Sequence, residues 1–272
     1  MTITGMIPFS KWHGLENDYV LIEQGIVPEA HRAAFARCIC NRRTGIGADG
    51  LLICDKTGTD HSTFQIVNAD GTDAELCGNG LRCAAAWLSE KAGVERVFLT
   101  SASGRHEATV AVQETNIWMV EMELGHAIIA PVVSMEFGGS EIELRCATVG
   151  NPHAILFEQT MPDIDRLADI AEAANRLPNF PNGVNVHHAC VRDDGSIALE
   201  SFERGAGAVQ ACATGAAAAA SLMCSEGGPV LVRMPGGELN LHIEATSGLV
   251  KMKGPACRIA VGECALPDNL SR

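Results

Sequence analysis

Positive charge is in short supply in this sequence. Lys and Arg number 20 against 33 Asp and Glu, a net charge of −13 over 272 residues. A surface of that sign repels phosphate backbones and anionic lipid, so neither nucleic acid nor a membrane is an expected partner. No apolar run approaches the ~20 residues a membrane helix needs, Ala211 to Met223 included. Met1 to Phe9 lacks the charged-then-apolar pattern of a secretory leader. The 11 cysteines are odd in number and show no Cys-x-x-Cys pair. That argues against a disulfide framework, a zinc site or a thiol-exchange motif, and for free thiols in a reducing cytoplasm with no bound metal. Aromatic residues are scarce at 4%, whereas glycines number 28 and hydrophobic residues make up 47%. Such a balance suits an α/β or α+β enzyme with many tight turns, long enough to bury a large core in one domain or two.

The chain is organised around Asn68 to Gly80 and the run Leu81 to Leu88 that follows. Phe64 to Val67 is aromatic and β-branched and predicts a strand. Asn68-Ala69-Asp70-Gly71 is a polar turn, and Leu81 to Leu88 is made of good helix formers. Cys77 therefore stands at the mouth of a helix, where unpaired N–H groups and the dipole favour anions. A thiol placed there is expected to ionise readily and to serve as base or nucleophile.

The same arrangement returns later. Ser196 to Phe202 is strand-like, Glu203-Arg204-Gly205-Ala206-Gly207 is a glycine turn, and Cys212-Ala213-Thr214-Gly215 opens the helical run Ala216 to Met223. Asn68 and Glu203 each stand nine residues before their cysteine, and Gly80 and Gly215 each three after. The rest of the chain follows the same order twice. Asn17 leads a strand ending at Glu23, and Asn151 leads one ending at Glu158. Helices are predicted over Pro28 to Cys40 and Ile164 to Leu177, and a strand carrying Asn185 over Val184 to Ala189. Leu51 to Cys54, Val97 to Thr100, Arg105 to Val112, Ile117 to Glu123 and Leu144 to Val149 read as further strands. Gly125 to Ser140 reads as a crossover between the halves. Two lobes are expected, 1–124 with Cys77 and 125–272 with Cys212, with a strand over 263–272 free to return to the first and a cleft between the lobes. Gly45 to Gly50 lacks the strand, loop and helix order of a phosphate cradle and reads as a structural turn.

For nine of the cysteines a small buried hydrophobe is the expected role. Cys77 and Cys212 are set apart by their matched helix mouths. His187 and His188 are adjacent on a strand, so they point to opposite faces and cannot chelate together. Asn68, Asn151 and Asn185 each lie at a strand end. Arg204 is the one cation in the glycine turns flanking the two cysteines, and is suited to a carboxylate; a surface salt bridge with Glu203 is the alternative.

These motifs resemble those of the diaminopimelate epimerase family, over nearly the whole chain. They are Phe9-Ser10-Lys11 to Asn17-Asp18, Gly45 to Gly50, Asn68 to Gly71, Cys77 to Cys83, Gly150-Asn151-Pro152-His153, Val184-Asn185, and Glu203 to Gly207 with Ala211-Cys212. The resemblance implies an α+β fold of two pseudo-symmetric lobes, each a curved, mostly antiparallel sheet or barrel around a central helix. It implies a cofactor-independent epimerase that interconverts LL- and meso-diaminopimelate, in the supply of lysine and peptidoglycan precursors, as a homodimer. Cys77 and Cys212 would be the two bases. Backbone N–H groups of Gly78, Asn79, Ala213 and Thr214 would hold the reacting carboxylate. Asn68, Asn151, Asn185 and Arg204 would grip the distal end of the amino-acid substrate, Asn17 would meet an amino group, and His153 and Glu203 would tune the cysteines. Glu16, Ala208, Val209 and Ala213 depart from the family pattern, which keeps a racemase of another amino acid, such as histidine, as the alternative.

Overall fold

The computed structural model describes residues 6–73, 77–101, 104–160 and 164–265. In chain order the elements begin β1 (Met6–Gly14), β2 (Asn17–Glu23), α1 (Glu29–Ile39), β3 (Gly50–Lys56), β4 (His61–Asn68) and α2 (Gly78–Ala92). There follow β5 (Arg96–Ser101), β6 (Gly104–Glu114), β7 (Ile117–His126), β8 (Ile128–Phe137), β9 (Ser140–Val149), β10 (Asn151–Phe157) and α3 (Ile164–Ala174). The last are β11 (Asn185–Val191), β12 (Ile197–Glu203), β13 (Gly207–Val209), α4 (Ala213–Met223), β14 (Gly228–Met234), β15 (Gly237–Ile243) and β16 (Leu249–Ala265). Two compact units divide the chain: Met1–Met122 with Gly254–Arg272, and Glu123–Lys253. The chain passes from one to the other within β7 and returns within β16, at Gly254.

In the first unit β1 to β7 lie side by side in sequence order, and β16 closes the ring by pairing with β1 over Cys257 to Ala265. Most pairs are antiparallel, but β2 with β3 and β4 with β5 are parallel. Each parallel pair is joined by a helix, as a crossover requires. β2 and β3 are buried on both faces, which is why they read as unbroken apolar runs. Val20, Ile22, Leu51 and Ile53 face α1 and pack with Phe35 and Ala36. The alternate face, with Tyr19 and Leu52, meets α2. Helix α2 is enclosed, with every residue from Gly78 to Ser89 buried.

The second unit repeats this wiring. Its strand order runs β15, β14, β12, β11, β10, β9, β8, with β10–β11 and β12–β14 the parallel pairs. Helix α3 packs on Ala154, Leu156 and Val186, while α4, buried from Ala213 to Leu222, takes the other crossover. Its run Ala216 to Ala220 has no solvent exposure, small side chains letting the sheet close tightly around it. The segment expected as a crossover, Gly125 to Ser140, is instead the end of β7 and the strand β8. The register of β8 shifts between Ala130 and Val133, so Pro131 sits in an irregularity of a strand at the end of the sheet order.

Candidate active site

Cys77 and Cys212 are the N-cap residues of the two enclosed helices, and their backbones are nearly superposable: φ −122°, ψ 108° for Cys77 and φ −123°, ψ 105° for Cys212. In each helix the first i to i−4 hydrogen bond returns to the cysteine carbonyl, from Leu81 to Cys77 and from Ala216 to Cys212. The N–H groups of Gly78 and Asn79, and of Ala213 and Thr214, precede these bonds and lie at the positive end of each helix dipole, beside the sulfur.

The two cysteines differ in their neighbours. Cys77 is half-buried, with Tyr19 Oη 2.8 Å and Asn17 Oδ1 3.8 Å from its sulfur. Asn17 also accepts from Tyr19 Oη and, at 3.2 Å, from Asn79 Nδ2. The turn before it is tight, Leu15 and Glu16 both holding positive φ. Asp49 fixes the start of β2, accepting from Asn17 Nδ2 at 2.8 Å and from the Asp18 N–H at 3.0 Å. Behind lies Arg82, fully buried one turn into α2 and donating to Asn79 Oδ1 at 2.8 Å and to the Pro255 carbonyl at 3.2 Å. Burial pulls the Arg82 pKa down, against the pull of Cys83, Cys77, Tyr19 and Cys257. Asn68, opposite Gly50 at the end of β4, donates to Thr72 Oγ1 at 3.0 Å.

Cys212 is only 3% exposed. Its sulfur accepts the Gly215 N–H at 3.3 Å and lies 3.6 Å from Thr214 Oγ1. Burial first, then the charge of Glu203 and a hydrogen bond with it, push its thiol well above the ordinary range; Thr214 and the Gly215 N–H only partly oppose this. The expectation that a helix mouth ionises the thiol is thus not met at Cys212, because desolvation and a neighbouring carboxylate outweigh the dipole. Beside it His153, His187 and Ser201 form a buried chain: His153 Nδ1 to His187 Nε2, 2.9 Å, and His187 Nδ1 to Ser201 Oγ, 2.9 Å. His153 Nε2 bonds Asn151 Oδ1 at 2.8 Å. His188 points to the opposite face, towards Glu158. Asn185 is buried and accepts the Arg204 N–H at 3.0 Å, while the Arg204 side chain donates to the Asn182 carbonyl.

Each unit by itself therefore gathers part of the expected set: Cys77, Gly78, Asn79 and Asn17 in the first, and Cys212, Ala213, Thr214, Glu203, Asn151 and His153, with the pair Asn185 and Arg204, in the second. Tyr19, Arg82, His187 and Ser201 were not anticipated. Tyr19 was within reach of the sequence, since it follows Asn17 as His153 follows Asn151.

A hydroxyproline epimerase from Agrobacterium vitis matches the whole chain with a TM-score of 0.75 at 16% identity, covering 96% of that structure. A phenazine biosynthesis protein from Bacillus anthracis matches 97% of the chain and all of its own, also with a TM-score of 0.75, at 11% identity; both likenesses show the fold. The diaminopimelate epimerase family profile matches residues 9–130 and 145–259. Diaminopimelate epimerases from Methanothermobacter thermautotrophicus and Rhizorhabdus wittichii are each 34% identical to this chain, covering 94% and 96% of it and 98% and 96% of their own lengths. The chain belongs to the diaminopimelate epimerase family, and the protein is an enzyme, an epimerase.

Proposed function

We propose that the protein interconverts LL- and meso-diaminopimelate with side chains alone, Cys77 and Cys212 serving as the two bases. The observation that carries this is the matched pair of cysteines, each capping an enclosed helix with the same backbone geometry. An α-hydrogen beside a carboxylate resists removal because the departing proton leaves a second negative charge there. N–H groups of Gly78, Asn79, Ala213 and Thr214 aimed at that carboxylate lower the barrier as the charge develops. One sulfur takes the proton as thiolate and the other returns one as thiol, inverting the centre. Cys212, buried beside Glu203, suits the thiol role in the resting enzyme, which leaves the thiolate role to Cys77.

In this reading Asn68, Asn151, Asn185 and Arg204 hold the distal amino-acid end, Asn17 meets an amino group, and His153 and Glu203 act through Cys212. The enzyme would serve lysine and peptidoglycan precursor synthesis as a cytoplasmic homodimer, in keeping with eleven free cysteines. Among the described residues no helix is long and apolar enough to cross a membrane.

The test is turnover of LL-diaminopimelate in deuterated water. Deuterium should enter the inverted product ahead of the recovered substrate, and Cys77→Ser and Cys212→Ser should each abolish inversion. Inversion surviving in either variant overturns the two-base reading. A racemase of another amino acid is favoured by Glu16, Ala208 and Val209, which depart from the family pattern. Faster turnover of histidine or another single-centre amino acid than of LL-diaminopimelate would decide for it.

A further inference from the structure

The second unit carries His187 and Ser201 where the first carries two apolar residues. The strand pairings put both units in one register. Tyr19 sits opposite Gly50 as His153 sits opposite Asn185, and Leu52 opposite Ile66 as His187 sits opposite Ser201. His153, His187 and Ser201 thus correspond to Tyr19, Leu52 and Ile66. In the first unit, Leu52 and Ile66 pack against Gly80 of α2; in the second, the His187 ring packs against Gly215 so closely that an added Cβ would stand 2.3 Å from it. An apolar pair fills this place adequately. A buried imidazole and hydroxyl are a costlier filling and need partners, which His153 and the pair's own hydrogen bond supply here.

We propose that His153, His187 and Cys212 form a binding site for a divalent transition metal of the zinc class. All three are buried, and their ligand atoms lie within 4.8 Å of one another. The inner nitrogens, His153 Nδ1 and His187 Nε2, face each other at 2.9 Å, while the outer ones are held by Asn151 Oδ1 and Ser201 Oγ at 2.8 and 2.9 Å. Metal-bound histidines are oriented in this way, the free nitrogen of each ring tied to an oxygen. A tetrahedral ion with bonds of about 2.0–2.1 Å to nitrogen and 2.3 Å to sulfur keeps its ligand atoms roughly 3.3–3.7 Å apart. The imidazoles need to separate by about 0.4 Å, a small rotation of two rings. Two imidazoles and a thiolate suit zinc, cobalt or copper and not magnesium or calcium.

Proton accounting closes. With Asn151 Oδ1 accepting from His153 Nε2–H, His153 Nδ1 accepts from His187 Nε2–H, and His187 Nδ1 accepts from the Ser201 hydroxyl. On metal binding His187 shifts its proton to Nδ1, Ser201 Oγ becomes the acceptor, and Cys212 releases its thiol proton to solvent. Three protein ligands leave one position open. If Cys212 is a catalytic base, as proposed above, an occupied site withdraws that base and the metal inhibits.

The experiment titrates metal-free protein with cobalt(II), whose thiolate charge-transfer and tetrahedral bands report the ligands without reference to turnover. Wild type and Cys77→Ser should bind one equivalent with both bands. Cys212→Ser should lose the charge-transfer band, and His187→Leu, which restores the first unit's residue, should bind at least tenfold more weakly. His187→Asn serves if the leucine variant does not fold. Absence of the bands in wild type, loss of them in Cys77→Ser, or unchanged affinity in the His187 variant overturns the site. Zinc should inhibit wild type reversibly by chelation, and the His187 variant at least tenfold less strongly. Cobalt bound as expected without zinc inhibition leaves the site standing and removes Cys212 from catalysis.

Discussion

Tyr19 Oη lies 2.8 Å from Cys77 Sγ, joining residues 58 apart in the chain. The same hydroxyl donates to Asn17, so one phenol ties Cys77, the proposed base, to the amide proposed to meet the substrate. When Cys77 is a thiolate that single proton turns to the sulfur, and a hydrogen bond to a charged partner is worth about 1.5–3 kcal/mol. Tyr19→Phe should therefore lower kcat for LL-diaminopimelate roughly 10- to 150-fold with a smaller change in KM. An unchanged kcat would make Tyr19 a packing residue only.

Arg204 is expected to select a substrate with a second carboxylate. Its N–H to Asn185 is a backbone bond and survives substitution, so side-chain variants read the guanidinium alone. Removing a buried charge partner costs on the order of 2–5 kcal/mol. Arg204→Ala should lower kcat/KM roughly 30-fold to several-thousand-fold, part of it in binding because the distal end keeps its charge throughout. Arg204→Lys should rescue poorly, an ammonium lacking the planar fork. Wild-type kinetics in both folded variants would place Arg204 outside substrate recognition.

Oxidation should distinguish the cysteines. Both were expected to be exposed, low-pKa thiols, but Cys212 is enclosed and its thiol is pushed up by burial and Glu203. Thiolate character and access govern the reaction, so peroxide should modify Cys77 before Cys212. Peptide mapping by mass spectrometry after brief exposure measures the order; equal or faster modification of Cys212 contradicts it.

Acid should unpick the anchor beneath Asn17. Asp18 is held by Lys11 at 2.9 Å and by Arg42 at 2.7 and 3.2 Å. Burial raises its pKa, but hydrogen bonds from Arg42 and Lys11 outweigh this and leave it below the ordinary value of 3.8. A carboxyl with a depressed folded pKa stabilises fully above its unfolded pKa, and the contribution fades as pH falls through the folded one. Asp18→Asn should cost about 1–3 kcal/mol at pH 7. Urea melts should show that deficit constant from pH 7 to 5 and closing only below about pH 4. A deficit independent of pH down to 3 would mean that the charge of Asp18 is not what stabilises.

Much of the architecture was legible because its signals are local. Propensity and turn residues marked α1 and α3 and the strands bearing Asn17, Asn151 and Asn185, and the spacing from Asn68 to Cys77 and from Glu203 to Cys212 exposed the duplication. β8 was read as a crossover, and only its pairing with β9 shows a strand, with an irregularity that accommodates Pro131. β14 and β15 went unassigned although both alternate as strands do.

The sequence by itself determined where the two cysteines stand. A helix start depends on neighbours within one turn, and both were marked by glycine turns ahead and good helix formers behind. Tertiary structure alone decided what each cysteine meets there. Strand register brings Tyr19 to Cys77, and His153 and His187 to Cys212, from strands distant in the chain. Enclosure of α2 and α4 then sets the charges, Arg82 behind one sulfur and Glu203 beside the other. Desolvation and long-range pairing are properties of the folded chain, so two helix mouths alike in sequence acquire different chemistry.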